Sequence, residues 1–220
     1  DEIAAVVGEA HRRNLRVGIH SRGAGSTRAA AEAGVDWIIH ADLATDRDLE
    51  AVAKGGMPII PTATFLAMVV ELGTKVGAEQ VQLDINRMKR HFDLLCELMH
   101  KARKLGIKLL VGTDTGNNTF MRYGEVHAKE LEIFVKYGGY TPLEAITAAT
   151  RDNAYAVGLE GKVGEIDAGR FADLIVLDAD PLADITILQG GKHLIRVIKD
   201  GKLVDLAPRD DMVTFREAAE

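Results

Sequence analysis

Apolar and polar positions in this chain follow two periods in turn, and the changes between them predict its elements. Ile3, Val6, Val7 and Ala10 keep helical spacing between Asp1 and Asn14, with acids ahead of them and Arg12-Arg13 behind, which suits the helix dipole. Val17-Gly18-Ile19 then reads as a short strand that stops on His20, and Trp37-Ile38-Ile39 as another that stops on His40. Between them Ser26 to Ala33 is an alanine-rich helix closed by Gly34. Strand, helix, strand in this compass implies parallel strands joined by a right-handed crossover.

Thr45, with acids at Asp46 and Asp48, caps a helix through Leu49 to Ala53 that ends at Gly55-Gly56. Met57 to Pro61 is the next strand, its prolines near the ends. Phe65 to Gly77, apolar and then polar, is expected as a helix and loop over a barrel mouth. Ile85, Met88, Phe92, Leu95, Met99 and Ala102 form one buried stripe of a long helix that stops at Gly106. Lys108 to Val111 is a fourth strand, leading into Asp114 and a polar loop from Gly112 to Gly124 that contains Asn117, Asn118 and Arg122. A helix from Glu125 to Tyr137 follows, and Thr141-Pro142-Leu143-Glu144 is a capping box that opens a helix running to about Thr150.

The pattern changes after Gly158. Val163 to Leu177 and Leu194 to Val204 read as short strands joined by turns, with Asp200-Gly201 as a hairpin signal. The expected division is therefore 1–160, a β/α unit, and 161–220, a smaller β segment.

Parallel strands bring His20, His40 and Asp114 to one edge, which in a closed β/α barrel is the C-terminal face where barrel enzymes keep their chemistry. Singly, a histidine ending a strand is a satisfied structural residue, and an aspartate there is a helix cap. Together, two histidines and an aspartate on one rim suggest a metal.

Composition narrows the classes. With 220 residues, 47% hydrophobic and 27% charged, the chain can bury a sizeable core. A formal charge of -6 without basic clusters argues against a nucleic-acid partner or an anionic lipid surface. No apolar run reaches the ~20 residues of a membrane span. The single cysteine, Cys96, sits on the long helix's apolar stripe and fits core packing in a reducing, cytoplasmic setting.

The order of VGIH (17–20), WIIH (37–40), IIPT (59–62), GTDTG (112–116), TPLEAITAAT (141–150), GEIDAGRFADLIVLDADPL (164–182) and VIKDGKLV (197–204) resembles the amidohydrolase superfamily, most closely its imidazolonepropionase-like and Xaa-Pro dipeptidase-like members. The resemblance implies that His20 and His40 are the strand-five and strand-six metal ligands. It likewise implies that Asp114, ending strand eight, binds metal and shuttles a proton, with zinc or a similar divalent ion as cofactor. The family's first-strand His-x-His pair and strand-four lysine have no counterpart here. Deaminases of the superfamily carry a glutamate three residues past the strand-five histidine, where this chain has Gly23, so hydrolysis of an amide or peptide-type bond is preferred.

Arg22 stands where relatives face the substrate, and its fork could hold a carboxylate; a surface ion pair accounts for it equally well. His127 is a candidate for the outer part of the substrate site. His11, His91, His100 and His193 read as solvated or structural. Gly23-Ala24-Gly25 lacks the third glycine of a dinucleotide loop, where Arg28 stands.

The expectation is thus an α/β chain forming the C-terminal half of a TIM-type (β/α)8 barrel, strands five to eight, followed by part of a small β-sandwich. Its function would be metal-dependent hydrolysis of a small-molecule substrate. The alternative is a non-catalytic or truncated half-barrel that needs a missing N-terminal half or a second copy. A chain that begins on a helix is expected to lack upstream strands through cleavage, truncation or disorder, or because they were never encoded. Its two open sheet edges are expected to pair with another copy or with the missing half.

Overall fold

The computed structural model describes residues 2–76, 85–115 and 126–206. Helix α1 (Glu2–Arg12) leads into strand β1 (Gly18–Ser21), followed by α2 (Ser26–Ala33), β2 (Trp37–His40), α3 (Asp46–Gly55) and β3 (Ile59–Ile60). The strands lie side by side in the order β1-β2-β3, all parallel. Gly18 pairs with Trp37 and Ser21 with His40, so both histidines leave the sheet at the same edge.

Local chemistry fixes the helix ends. The N–H of Gly34, at φ 79°, closes α2 onto Ala30 and Ala31. Thr45 and Asp48 form the reciprocal capping box expected at the start of α3. β3 is only two residues long, because Pro58 and Pro61 flank it and can donate nothing to a ladder. The expected fourth strand, Lys108 to Val111, is reduced to a single parallel bridge between Ile59 and Leu109. Ile59 donates to Lys108 O at 3.0 Å and Leu110 donates to Ile59 O at 2.8 Å.

Helix α4 (Ala63–Val76) is packed, rather than set as a lid: Ala63, Leu66, Ala67 and Val69 are buried, and it lies against α5 (Ile85–Lys104) and α6 (Lys129–Lys136). Phe92, Leu95, Leu98, Met99 and Ala102 form the buried stripe of α5, adding Leu98 to the expected set. Among the described residues α6 starts at Lys129, after a turn, because Ala128 at its N-cap has no side chain to cap with. Most of the polar loop expected from Gly112 to Gly124 lies outside the described residues, as do Gly77 and Glu125.

Helix α7 (Pro142–Thr147) has the expected box between Thr141 and Glu144. It does not continue as α-helix to Thr150. It widens into a π turn at Ala148–Asp152 and tightens to a 3-10 turn at Asn153–Tyr155, where the Asn153 side chain leaves the helix for the backbone of Val111. A separate antiparallel sheet follows, β4 (Leu174–Leu177), β5 (Leu194–Lys199) and β6 (Lys202–Leu203). Its hairpin turns at Asp200 and Gly201, both at positive φ, as the sequence signal required. Of the expected strand from Val163 only Leu174 to Leu177 is strand, since Gly164 and Gly169 at positive φ break the stretch into turns.

The core lies between sheet and helices. Ile38, Ile59, Leu49, Val52, Leu95, Met99, Leu109 and Phe134 are all essentially inaccessible, and the histidine-bearing edge rises from this rigid base.

Candidate active site

His20 and His40 meet. Nδ1 of His20 and Nε2 of His40 are 2.8 Å apart, with the ring centroids 4.8 Å apart and tilted by 52°. On its far side His40 Nδ1 lies 2.7 Å from Thr62 Oγ1, at the end of β3. Thr62 Oγ1 also donates to Pro61 O at 2.7 Å, and with its one proton spent there it accepts from His40 Nδ1–H. The Nε2 of His40 therefore presents a lone pair.

His40 is also kept neutral. Burial, then the Arg22 and His20 charges, push its pKa down to about 4, against a smaller opposing pull from Asp42. A neutral imidazole with its lone pair on Nε2 is the form that ligates a metal, and here that lone pair faces His20 Nδ1.

Arg22 ties the third strand end in. Its Nη1 donates to Asp42 Oδ2 at 2.9 Å, while Nη2 stands 3.5 Å from His40 Nε2 and 3.6 Å from Asp114 Oδ2. A cationic group thus lies where the His40 lone pair and the Asp114 carboxylate converge. Asp42 is buried, and its Oδ1 finds no hydrogen-bond partner among the described residues. His91 of α5, read from the sequence as solvated or structural, brings Nδ1 to 3.9 Å from Asp42 Oδ2. His127 is exposed in the turn before α6.

The strand ends are strained in a consistent way. His40, Ala41, Thr62 and Asp114 all have φ between 54° and 78°, left-handed values that non-glycine residues rarely adopt and that cluster at functional sites.

Two imidazoles and a carboxylate are donor types that suit a divalent ion such as zinc, and His40 and Asp114 both approach the Arg22 guanidinium. Among the described residues no three of His, Cys, Asp or Glu stand close enough to hold a metal by themselves. His20 and His40 form a pair with Asp114 one guanidinium away, so together they would supply only part of a metal's shell.

Four further residues shape this edge and were not singled out in the sequence. Thr62 closes the IIPT segment without a role having been read for it, and Asp42 follows its strand end without a motif of its own. Asn153 accepts from Val111 N and donates to Val111 O, both at 2.8 Å, steadying the segment that leads to Asp114. Glu130 is fully buried beside Leu131, Ile133 and Phe134, and a charge on the apolar face of α6 was the one available signal.

Comparison with known proteins gives the chain its relatives. An ochratoxinase of Aspergillus niger is 31% identical over 204 residues, which cover 92% of this chain and 41% of that protein. An imidazolonepropionase of Alkaliphilus metalliredigens is 28% identical over 188 residues, 80% of this chain and 42% of that one. A Xaa-Pro dipeptidase solved with methionine in its active site superposes with a TM-score of 0.77 at 28% identity, over 93% of this chain and 48% of that chain. The chain spans less than half the length of these relatives. Among the described residues no helix is long and apolar enough to cross a membrane. Residues 1–204 match the amidohydrolase family, and with an α/β fold that superposes on amidohydrolase structures, this chain belongs to that family.

Proposed function

We propose that the chain is the C-terminal half of a TIM-type (β/α)8 barrel, strands five to eight over residues 1–160, with part of a small β-sandwich in 161–220. Its reaction is hydrolysis of an amide or peptide-type C–N bond in a small-molecule substrate. His20, His40 and Asp114 would hold a divalent ion, zinc by donor chemistry, which supplies Lewis acidity and a water acidified to a pKa of about 7. Asp114 takes the proton from the attacking water and passes it to the leaving amine. Arg22, anchored on Asp42, grips a substrate carboxylate with its remaining N–H groups. His127, exposed in the turn before α6, serves as a further polar group toward substrate. A cytoplasmic setting fits the single thiol of Cys96.

The observation that carries this reading is the facing pair, His20 Nδ1 and His40 Nε2, bridged through Arg22 toward Asp114. The relatives named ochratoxinase, imidazolonepropionase and Xaa-Pro dipeptidase support an amide-type substrate. The test is metal content by elemental analysis of the protein carrying this chain, with hydrolysis of N-acyl amino acids and dipeptides. Zinc at one or two ions per chain and metal-dependent turnover are expected. A metal-replete protein inert on both substrate classes would refute the reaction.

A second reading has one specific observation in its favour, the partial shell. Here the 220 residues act only with further donors, from an N-terminal half or a second copy. Sedimentation with intact mass separates the two readings. A monodisperse 23.8 kDa monomer that binds zinc and turns over substrate removes the second.

A further inference from the structure

Helix α4 begins at Ala63, so Thr62 holds the position from which a threonine hydroxyl ordinarily caps its own helix. It does not do so. At φ 54° Thr62 is outside the extended backbone of an N-cap, and its hydroxyl is spent between Pro61 O and His40 Nδ1. The first N–H groups of α4 still need acceptors in a buried place.

They find them on Glu130, a residue of α6 that lies 66 positions away from Thr64. Ala63 N–H donates to Oε1 at 2.8 Å, and Thr64 N–H and Thr64 Oγ1 each donate to Oε2 at 2.6 Å. Glu130 and Thr64 are both completely buried, so no water competes for these bonds.

We propose that Glu130 is a positioning residue for His40: by capping α4 from outside, it releases the Thr62 hydroxyl to hold the His40 ring in the Nδ1–H form with Nε2 directed at His20. The inference rests on the reading of His40 as a ligand, and it extends that reading along the chain Glu130, first turn of α4, Thr62, His40. Without the carboxylate, the unmet N–H groups no longer fix the first turn of α4 and the left-handed backbone of Thr62 before it, and the imidazole loses a firmly placed acceptor. A second-layer partner of a ligating histidine is worth about 10- to 100-fold in metal affinity.

The test uses the protein carrying this chain, with Glu130→Gln, Thr62→Val, Thr62→Ser and the double variant Glu130→Gln/Thr62→Val. Imidazole ¹⁵N spectra of the metal-free protein read the His40 tautomer, and zinc competition with a chelator reads affinity. Glu130→Gln and Thr62→Val should both turn a single Nδ1–H tautomer into a mixture and weaken zinc about tenfold or more. Thr62→Ser should behave as the parent, and the double variant should be no weaker than Thr62→Val, since the two act in one chain. Where Glu130→Gln does not fold, Glu130→Asp draws the carboxylate back from both N–H groups by one methylene and must move the His40 signal the same way. A folded Glu130→Gln, or Glu130→Asp in its place, with parental His40 signals overturns the proposal and leaves Glu130 as a helix cap alone. Failure of the ligand reading is distinguishable: His40→Ala would then bind zinc like the parent, while the tautomer of His40 in the metal-free protein still decides whether Glu130 positions it.

Discussion

Arg22 is held by Asp42, the residue two places past His40, just as Arg22 itself lies two places past His20. The pairing follows from the parallel register that sets Ser21 beside His40 and offsets the two strand ends by one residue. An arginine fixed in this way loses little further freedom when it takes a ligand, which is the physical content of preorganisation.

Arg22→Met should therefore weaken substrates with a free carboxylate by about 2 kcal/mol, the scale of a charge-assisted hydrogen bond. Amidated analogues should keep the parental KM. Equal losses on both series would remove Arg22 from the substrate site.

Asp114→Asn should retain most metal and lower kcat by about 10² or more, the loss expected when a positioned acid-base group is removed. His20→Ala should instead lose metal. Steady-state rates beside elemental analysis make the comparison, and parental turnover in both variants would show the site assignment to be wrong.

Asn153→Leu strips both partners from the backbone of Val111 in a partly buried place. Two unmet polar groups should destabilise the fold by about 2 kcal/mol or more, read as a lower urea midpoint. An unchanged midpoint would mean that water replaces the amide.

Stability should also depend on Glu130 through pH. Burial raises its pKa from 4.5 to about 7, while the hydrogen bonds from Thr64 and Ala63 pull the other way. Cys96 faces it from α5 and, pushed up to about 12 chiefly by burial, stays a thiol throughout this range. Between pH 4.5 and 7 the folded chain keeps a proton that the unfolded chain has released. Its contribution is therefore greatest below the lower value and declines as pH rises through the upper one, by at most about 1.4 kcal/mol per pH unit. Glu130→Gln should lack this slope. Urea unfolding of parent and variant at several pH values tests it, and parallel curves would contradict the raised pKa.

What the sequence made legible was local. His40 ends its short strand and His20 stands one residue before the end of its own, Thr141 and Glu144 box a helix start, and Asp200-Gly201 turns a hairpin, because each signal lies within a few residues of its effect. Glu130 and Asn153 act on partners 66 and 42 positions away, and no period or spacing announces a carboxylate that caps another helix or an amide that pairs with a strand. Thr62 was hidden for a related reason. Its residue type fits an ordinary cap, and only the tertiary arrangement directs the hydroxyl to His40. Of the short strands and turns expected from Val163 to Leu177, the part before Leu174 is all turn, because glycines at positive φ interrupt its apolar residues.

The bond between Asn153 and Val111 also works as a ruler. Lys108 O and Leu110 N face β3, so in this strand the N–H and C=O of Val111 point to the opposite side, and there an amide side chain takes both of them. Any strand that comes to lie along that side can use the backbone of Leu109 but must end its ladder before Val111. Slipping forward by two residues would require Asn153 to be expelled. A single side chain thus sets where pairing along this side of the segment must stop, just before Asp114.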